Sequence, residues 1–186
     1  MSSLYFIALL PPPALSEAIN AIRLECSEKF GIYKVLKPPV HITLYPPFRI
    51  EEPVEEQLID LLKRGTAGLP SFVQILENFA TFKREVIFIK ALKNTELIRL
   101  QEVIVLLIRS NQLDKKLYNK ESEVFKPHIT IAYRDVSKIL FPKIWQDYKD
   151  RKFQQRFHAE YFSLLKHDGV RWHPIQEFRL KSLPFD

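Results

Sequence analysis

Apolar residues along this chain follow two alternating periods, one of strands and one of helices. Leu4-Tyr5-Phe6-Ile7-Ala8-Leu9-Leu10 is an unbroken apolar run that predicts a buried strand, stopped by Pro11-Pro12-Pro13. Leu15, Ala18, Ile19, Ile22 and Cys26 then recur at helical spacing and predict an amphipathic helix. Val40 to Tyr45, rich in β-branched and aromatic residues and bracketed by Pro38-Pro39 and Pro46-Pro47, predicts a short strand. Val54, Leu58, Leu61 and Leu62 predict a helix before Gly65, and Ser71 to Phe82 and Glu85 to Ala91 predict two strands joined by a turn. Leu97, Leu100, Ile104 and Leu107 mark one face of a helix of about four turns that ends near Asn111. Beyond a polar connection from Asp114 to Glu123, Val124 to Tyr133 predicts a strand, and Leu140, Ile144, Trp145 and Tyr148 predict a helix. Phe157 to Leu165 and Val170 to Leu180 predict a hairpin around Asp168-Gly169, a dipeptide that takes positive φ readily in a two-residue turn.

Strands and helices thus mix in both halves, and each half holds one proline-flanked strand carrying a histidine. That pattern predicts two similar lobes facing one another within a single domain over residues 1–186, in the α+β class. With 46% hydrophobic residues, only 4 glycines and no low-complexity stretch, the chain can bury a core and is not a disordered or repetitive protein. One cysteine, Cys26, excludes an intramolecular disulfide and a CxxC metal site; its helical context predicts a buried structural thiol and a reducing, cytoplasmic location. Leu4 to Pro13 is too short to cross a bilayer, and no membrane association is expected. The net charge of +6 favours polyanionic partners, although a basic surface alone is equally compatible with simple solvation.

The histidine strands carry the chemistry. His41-Ile42-Thr43-Leu44 and His128-Ile129-Thr130-Ile131 share one form, each with proline just upstream at Pro39 or Pro127. Side chains alternate along a strand, so each histidine and its threonine share a face while the aliphatic residues face a core. Two such strands side by side would gather two imidazoles and two hydroxyls on one concave surface. With an ordinary pKa of about 6.5, one ring can accept a proton near neutral pH while the other donates one. Such a pair suits a phosphodiester, with Thr43 and Thr130 holding the non-bridging oxygens. A single His-Thr strand would more simply be a hydrogen-bonded structural feature; repetition of the whole motif points to function. His158, His167 and His173 have no tight ligand spacing, so neither a metal nor another cofactor is expected.

These motifs resemble those of the 2H phosphoesterase superfamily, named for its two His-x-Thr/Ser-x motifs, and above all its 2′,5′ RNA ligase-like and cyclic phosphodiesterase branches. Tyr5-Phe6-Ile7-Ala8 resembles the family's first strand, Val40 to Phe48 its first motif and Lys126 to Ala132 its second, with a Tyr-Pro-Pro-Phe continuation similar to bacterial-type members. The resemblance implies a bilobal α+β fold of two pseudo-symmetric antiparallel sheets with flanking helices and a central groove. It implies catalysis by His41, Thr43, His128 and Thr130 on a nucleotide or RNA-terminal 2′,3′-cyclic phosphate. Around these, Tyr45, Phe48 and Tyr133 are candidates for stacking on a base, and Lys126 and Arg134, with Lys37 and Arg49, for attracting phosphate. The acidic cluster Glu51, Glu52, Glu55 and Glu56 is expected to be a solvated helix start. The expected partner is a nucleotide or RNA substrate, with no obligatory protein partner and a monomeric state. An RNA- or nucleotide-binding module without turnover and a metallohydrolase are the competing readings.

Overall fold

The computed structural model describes residues 2–114 and 124–182. Its strands are β1 (Ser2–Leu9), β2 (Ile42–Glu51), β3 (Phe72–Phe82), β4 (Val86–Ala91), β5 (His128–Ala132), β6 (Gln154–Ala159), β7 (Tyr161–His167) and β8 (Trp172–Arg179). The helices are α1 (Pro13–Phe30), α2 (Glu55–Thr66), α3 (Thr95–Ser110) and α4 (Phe141–Tyr148).

Local chemistry sets the helix ends. Pro13 opens α1, where its missing N–H costs nothing, and Gly31 closes it in the left-handed region at φ 69°, its N–H returning to the Ser27 carbonyl. Asn94 caps α3, its Oδ1 accepting from the Leu97 N–H at 2.7 Å.

The strands form two four-stranded antiparallel sheets, one in the order β2-β1-β7-β8 and the other β5-β4-β3-β6. In both, the motif strand lies at an edge, beside the strand that precedes it across a helix, and the two motif strands come into contact with one another. The halves also exchange elements. Helix α1 packs on β5 and helix α3 on β2, so each histidine strand is backed by a helix from the opposite half. A single apolar cluster runs through both, from Tyr5, Ile7 and Ile42 to Ile89, Ile129 and Ile131.

Helix α2 runs through Gly65 to Thr66 and β1 begins at Ser2, each slightly beyond its predicted bound, and four larger departures shape the sheets. Strand β2 does not stop at Pro46-Pro47 but continues to Glu51, because an edge strand has one side free of ladder bonds and tolerates a residue without an N–H. Strand β5 is only His128–Ala132, shorter than the Val124 to Tyr133 run. The run Phe157 to Leu165 breaks at Glu160: β6 joins the second sheet and β7 the first, so one apolar stretch serves two sheets. The Asp168-Gly169 connection spans four residues rather than two. Asp168 Oδ1 accepts from the Val170 and Arg171 N–H groups at 2.8 and 2.7 Å, and this side-chain turn sets the loop length. Of the polar connection from Asp114 to Glu123, residues 115–123 lie outside the described residues.

Glu55 departs from the solvated role expected of its cluster. Its Oε2 accepts from the Tyr5 hydroxyl at 2.6 Å and from Lys166 Nζ at 2.8 Å, fastening the start of α2 to β1 and β7. Burial would raise its carboxyl pKa, but these two hydrogen bonds outweigh that and hold it below the usual value.

Candidate active site

The two motifs occupy matching places in the two sheets. In the first, Ala8 lies opposite Thr43 and Ile7 opposite Tyr45, so that Leu44 is an extra residue in β2. In the second, Phe88 lies opposite Thr130 and Ile87 opposite Ala132, so that Ile131 is extra in β5. A β-bulge thus follows the threonine in each strand. It lets two consecutive residues, Leu44-Tyr45 and Ile131-Ala132, turn into the core while His and Thr keep the opposite face. All four His and Thr side chains are half-buried, and their Ile neighbours are fully buried.

Each imidazole is fixed the same way. His41 Nδ1 lies 2.7 Å from the Pro39 carbonyl and His128 Nδ1 lies 2.7 Å from the Lys126 carbonyl. A carbonyl only accepts, so in both rings Nδ1 carries the hydrogen and Nε2 is left as the atom that can meet a substrate. Aromatic side chains wall the rings. Phe6 lies 4.9 Å from His41 between ring centroids, while Phe82 and Phe88 lie 5.0 and 5.1 Å from His128. Burial depresses both pKa values. His41 falls from 6.5 to about 4, by burial first, against a rise from its hydrogen bond to the Pro39 carbonyl, with the nearby charges of Arg23 and His128 lowering it further. His128 is lowered too, by burial against its hydrogen bond to the Lys126 carbonyl. Both rings therefore rest neutral near pH 7, and an anion placed between them would favour protonation of one.

The remaining sequence candidates divide. Tyr45 and Phe48 are buried at 0% and 3% exposure and pack edge to face in the core, Tyr45 donating its hydroxyl to Asp114; the expectation that they stack on a base is corrected, because no face is open. The bulge beside Pro46-Pro47, where Tyr5 pairs with Phe48 and Ile7 with Tyr45, turns both inward. Tyr133 is exposed at 42%, and Arg134 sits over its ring at 5.7 Å in a left-handed turn at φ 68° just past β5. Lys126 is exposed beside the second motif, its Nζ 5.9 Å from the centre of the Phe82 ring that flanks His128. Lys37 and Arg49 are exposed on either side of the first motif. Among the described residues no group of three or more His, Cys, Asp or Glu side chains converges as metal ligands would.

Several neighbours of the pair escape a motif search. Lys90 lies opposite His128 in register, paired with Glu77 at 3.5 Å. Phe6, Ala8 and Leu165, with Leu10 and Trp172, form a small apolar cluster separate from the main core, and Phe6 joins it to His41. Trp172 meets Phe6 edge-on at 4.5 Å, making an aromatic ledge beside the first histidine. The unbroken apolar run of β1 gives no sign of which face Phe6 takes, and no sequence signal marks Trp172.

Known proteins resemble this chain in sequence and in fold. The chain is 30% identical over 165 residues to a predicted phosphoesterase of Geobacillus kaustophilus, covering 84% of this chain and 87% of that one. It is 26% identical over 178 residues to a predicted phosphoesterase of Staphylococcus aureus, covering 94% and 97%. In fold it matches TT0787 of Thermus thermophilus with a TM-score of 0.71 at 20% identity, over 96% of this chain and 98% of that chain. LigT of E. coli matches with a TM-score of 0.66 at 17% identity, over 97% and 99%. The sequence model of the 2′-5′ RNA ligase superfamily matches residues 11–171, most of the chain and both histidine motifs, and the chain belongs to that superfamily.

Proposed function

We propose that this protein is a metal-independent phosphodiesterase that opens a 2′,3′-cyclic phosphate on a nucleotide or an RNA end. The observation that carries the reading is the matched pair of imidazoles, each with Nδ1–H tied to a carbonyl and Nε2 left for substrate. One Nε2 takes a proton from the attacking water as its oxygen bonds to phosphorus. The other, protonated when the anionic phosphodiester is bound, gives its proton to the departing ribose oxygen as the P–O bond breaks. Thr43 and Thr130 donate to the non-bridging oxygens, where negative charge builds in the transition state. The products are a phosphomonoester and a free ribose hydroxyl.

Two further observations support a nucleotide as the substrate. The Phe6–Trp172 ledge beside His41 offers an aromatic surface of the kind bases stack on. E. coli LigT, whose fold this chain shares, has been crystallised with 3′-AMP, with ATP and with phosphate. The test is a panel of 2′,3′-cyclic mononucleotides and cyclic-ended oligonucleotides offered to nuclease-free protein in the presence of a chelator. Turnover that disappears in His41→Ala and His128→Ala is expected. Tight binding without turnover in the wild type would instead favour a binding module, and loss of turnover on chelation a metallohydrolase.

A further inference from the structure

Between α1 and β2, residues Lys34–Leu36 form one turn of 3-10 helix, and two side chains from opposite halves grip it. From α1, the fully buried Arg23 donates through Nη2 to the Val35 carbonyl. From the loop after β5, Asp135 Oδ2 accepts from the backbone N–H groups of Tyr33 and Lys34 at 2.8 and 2.9 Å. Arg134, at φ 68°, and the Asp135 N–H bond back to the Tyr133 carbonyl at 2.9 Å turn the chain sharply at the end of the His128 strand and bring Asp135 to this position. Beyond the turn the chain runs through Lys37 and the stiff pair Pro38-Pro39, and the Pro39 carbonyl receives the His41 Nδ1–H. A short, stiff path therefore leads from His128, along β5, through Asp135 and the gripped turn, to the carbonyl that orients His41.

The grip is expensive for a merely structural contact. Arg23 Nε and Nη1 and Asp135 Oδ1 are buried without hydrogen-bond partners, and the burial lowers the Arg23 pKa to about 10. A neutral side chain on α1 would satisfy the fold more cheaply, and departures of this kind gather at functional sites.

We propose that Asp135 and Arg23 are positioning residues for the histidine pair, acting through the 3-10 turn to hold the Pro39 carbonyl, and with it the His41 ring, in register with His128. The kinetic part of the proposal rests on the phosphodiesterase reading, and the spectroscopic part does not.

The experiment compares Asp135→Ala, Asp135→Asn and Arg23→Met with the wild type, well below each protein's unfolding temperature. It measures kcat and KM on a cyclic-phosphate substrate and follows the histidine ring protons by NMR titration. Asp135→Ala is expected to lose roughly 10- to 100-fold in kcat with little change in KM, as a small misplacement of a proton-transfer group does. Asp135→Asn, whose amide oxygen still accepts from both N–H groups, is expected to recover most of that loss. Arg23→Met, which leaves the Val35 carbonyl without its donor, is expected to lower kcat in the same way and to shift the His41 ring resonance. A folded Asp135→Ala protein with wild-type kcat and an unmoved His41 resonance overturns the positioning role, as does equal impairment of the alanine and asparagine variants. Wild-type kcat and an unmoved His41 ring resonance in a folded Arg23→Met protein overturn the part assigned to Arg23. If the wild type turns over no substrate, the phosphodiesterase reading fails, and the ring resonance of His41 in Asp135→Ala still decides whether the turn positions it.

Discussion

His41 makes the pH dependence of stability a direct report on the geometry of the groove. The perturbation is His41→Asn, which keeps a side-chain N–H for the Pro39 carbonyl but removes the titrating ring. In the folded protein the ring stays neutral down to about pH 4, whereas in the unfolded chain it titrates near 6.5. Between those values the unfolded state binds a proton that the folded state refuses, so this contribution to stability is complete above pH 6.5 and is lost as pH falls toward 4. At about 1.4 kcal/mol per pH unit, the loss amounts to about 3 kcal/mol over the whole window. That is a large part of the roughly 5–15 kcal/mol that holds a domain folded. The assay is urea unfolding of wild type and variant at steps between about pH 7 and pH 4.5, read as the difference between the two proteins so that all other titrating groups cancel. The wild type should lose about 2 to 3 kcal/mol more than the variant across that range. Parallel curves would mean that the His41 ring is solvated in the folded state and titrates there as it does in the unfolded chain.

Three other outcomes are expected. Replacing His41 or His128 by Ala should cost roughly 10²- to 10⁴-fold in kcat by removing proton transfer, and Thr43→Val or Thr130→Val should cost roughly tenfold less than loss of the histidine in the same motif; steady-state kinetics on a cyclic phosphate separate the two, and a threonine effect equal to that of histidine would contradict the division of roles. If the ledge stacks on a base as proposed, Trp172→Ala should raise KM for a nucleotide substrate roughly tenfold while kcat changes little; an unchanged KM would remove the base from that wall. Glu55→Ala should destabilise the fold by about 1–3 kcal/mol, because the buried Tyr5 hydroxyl loses its acceptor; denaturation midpoints equal to wild type would show that the hydroxyl finds another partner.

The candidate site was legible in the sequence because its pairing of groups depends on residue type and on period. A strand alternates faces whatever surrounds it, so His41 with Thr43 and His128 with Thr130 had to share a face once those stretches were strands. The apolar positions of α1 and α3 announced most of the side each helix buries: Ile19, Ile22 and Cys26, with Leu97, Leu100 and Ile104, form those faces, whereas Ala18 is exposed, Leu15 and Leu107 are half-buried, and Ile108 takes the last buried position of α3. Tertiary structure decided what depends on register and on partners distant in the chain. Whether Tyr45 meets a substrate or the core turns on one bulge in its pairing with β1, and a shift of one residue reverses a side chain's face. Pro46-Pro47 reads as an end to a strand, but at the edge of a sheet it is not one, and edge position belongs to the assembled sheet. Glu55, Arg23 and Asp135 carry no local mark at all: their partners lie on other elements, and only folding brings Tyr5 to Glu55 or Asp135 to the turn ahead of His41. Residue type and period placed two imidazoles and two hydroxyls on matching faces; the fold set the burial of the rings and the hydrogen bonds that orient them, and so the pH range in which they titrate.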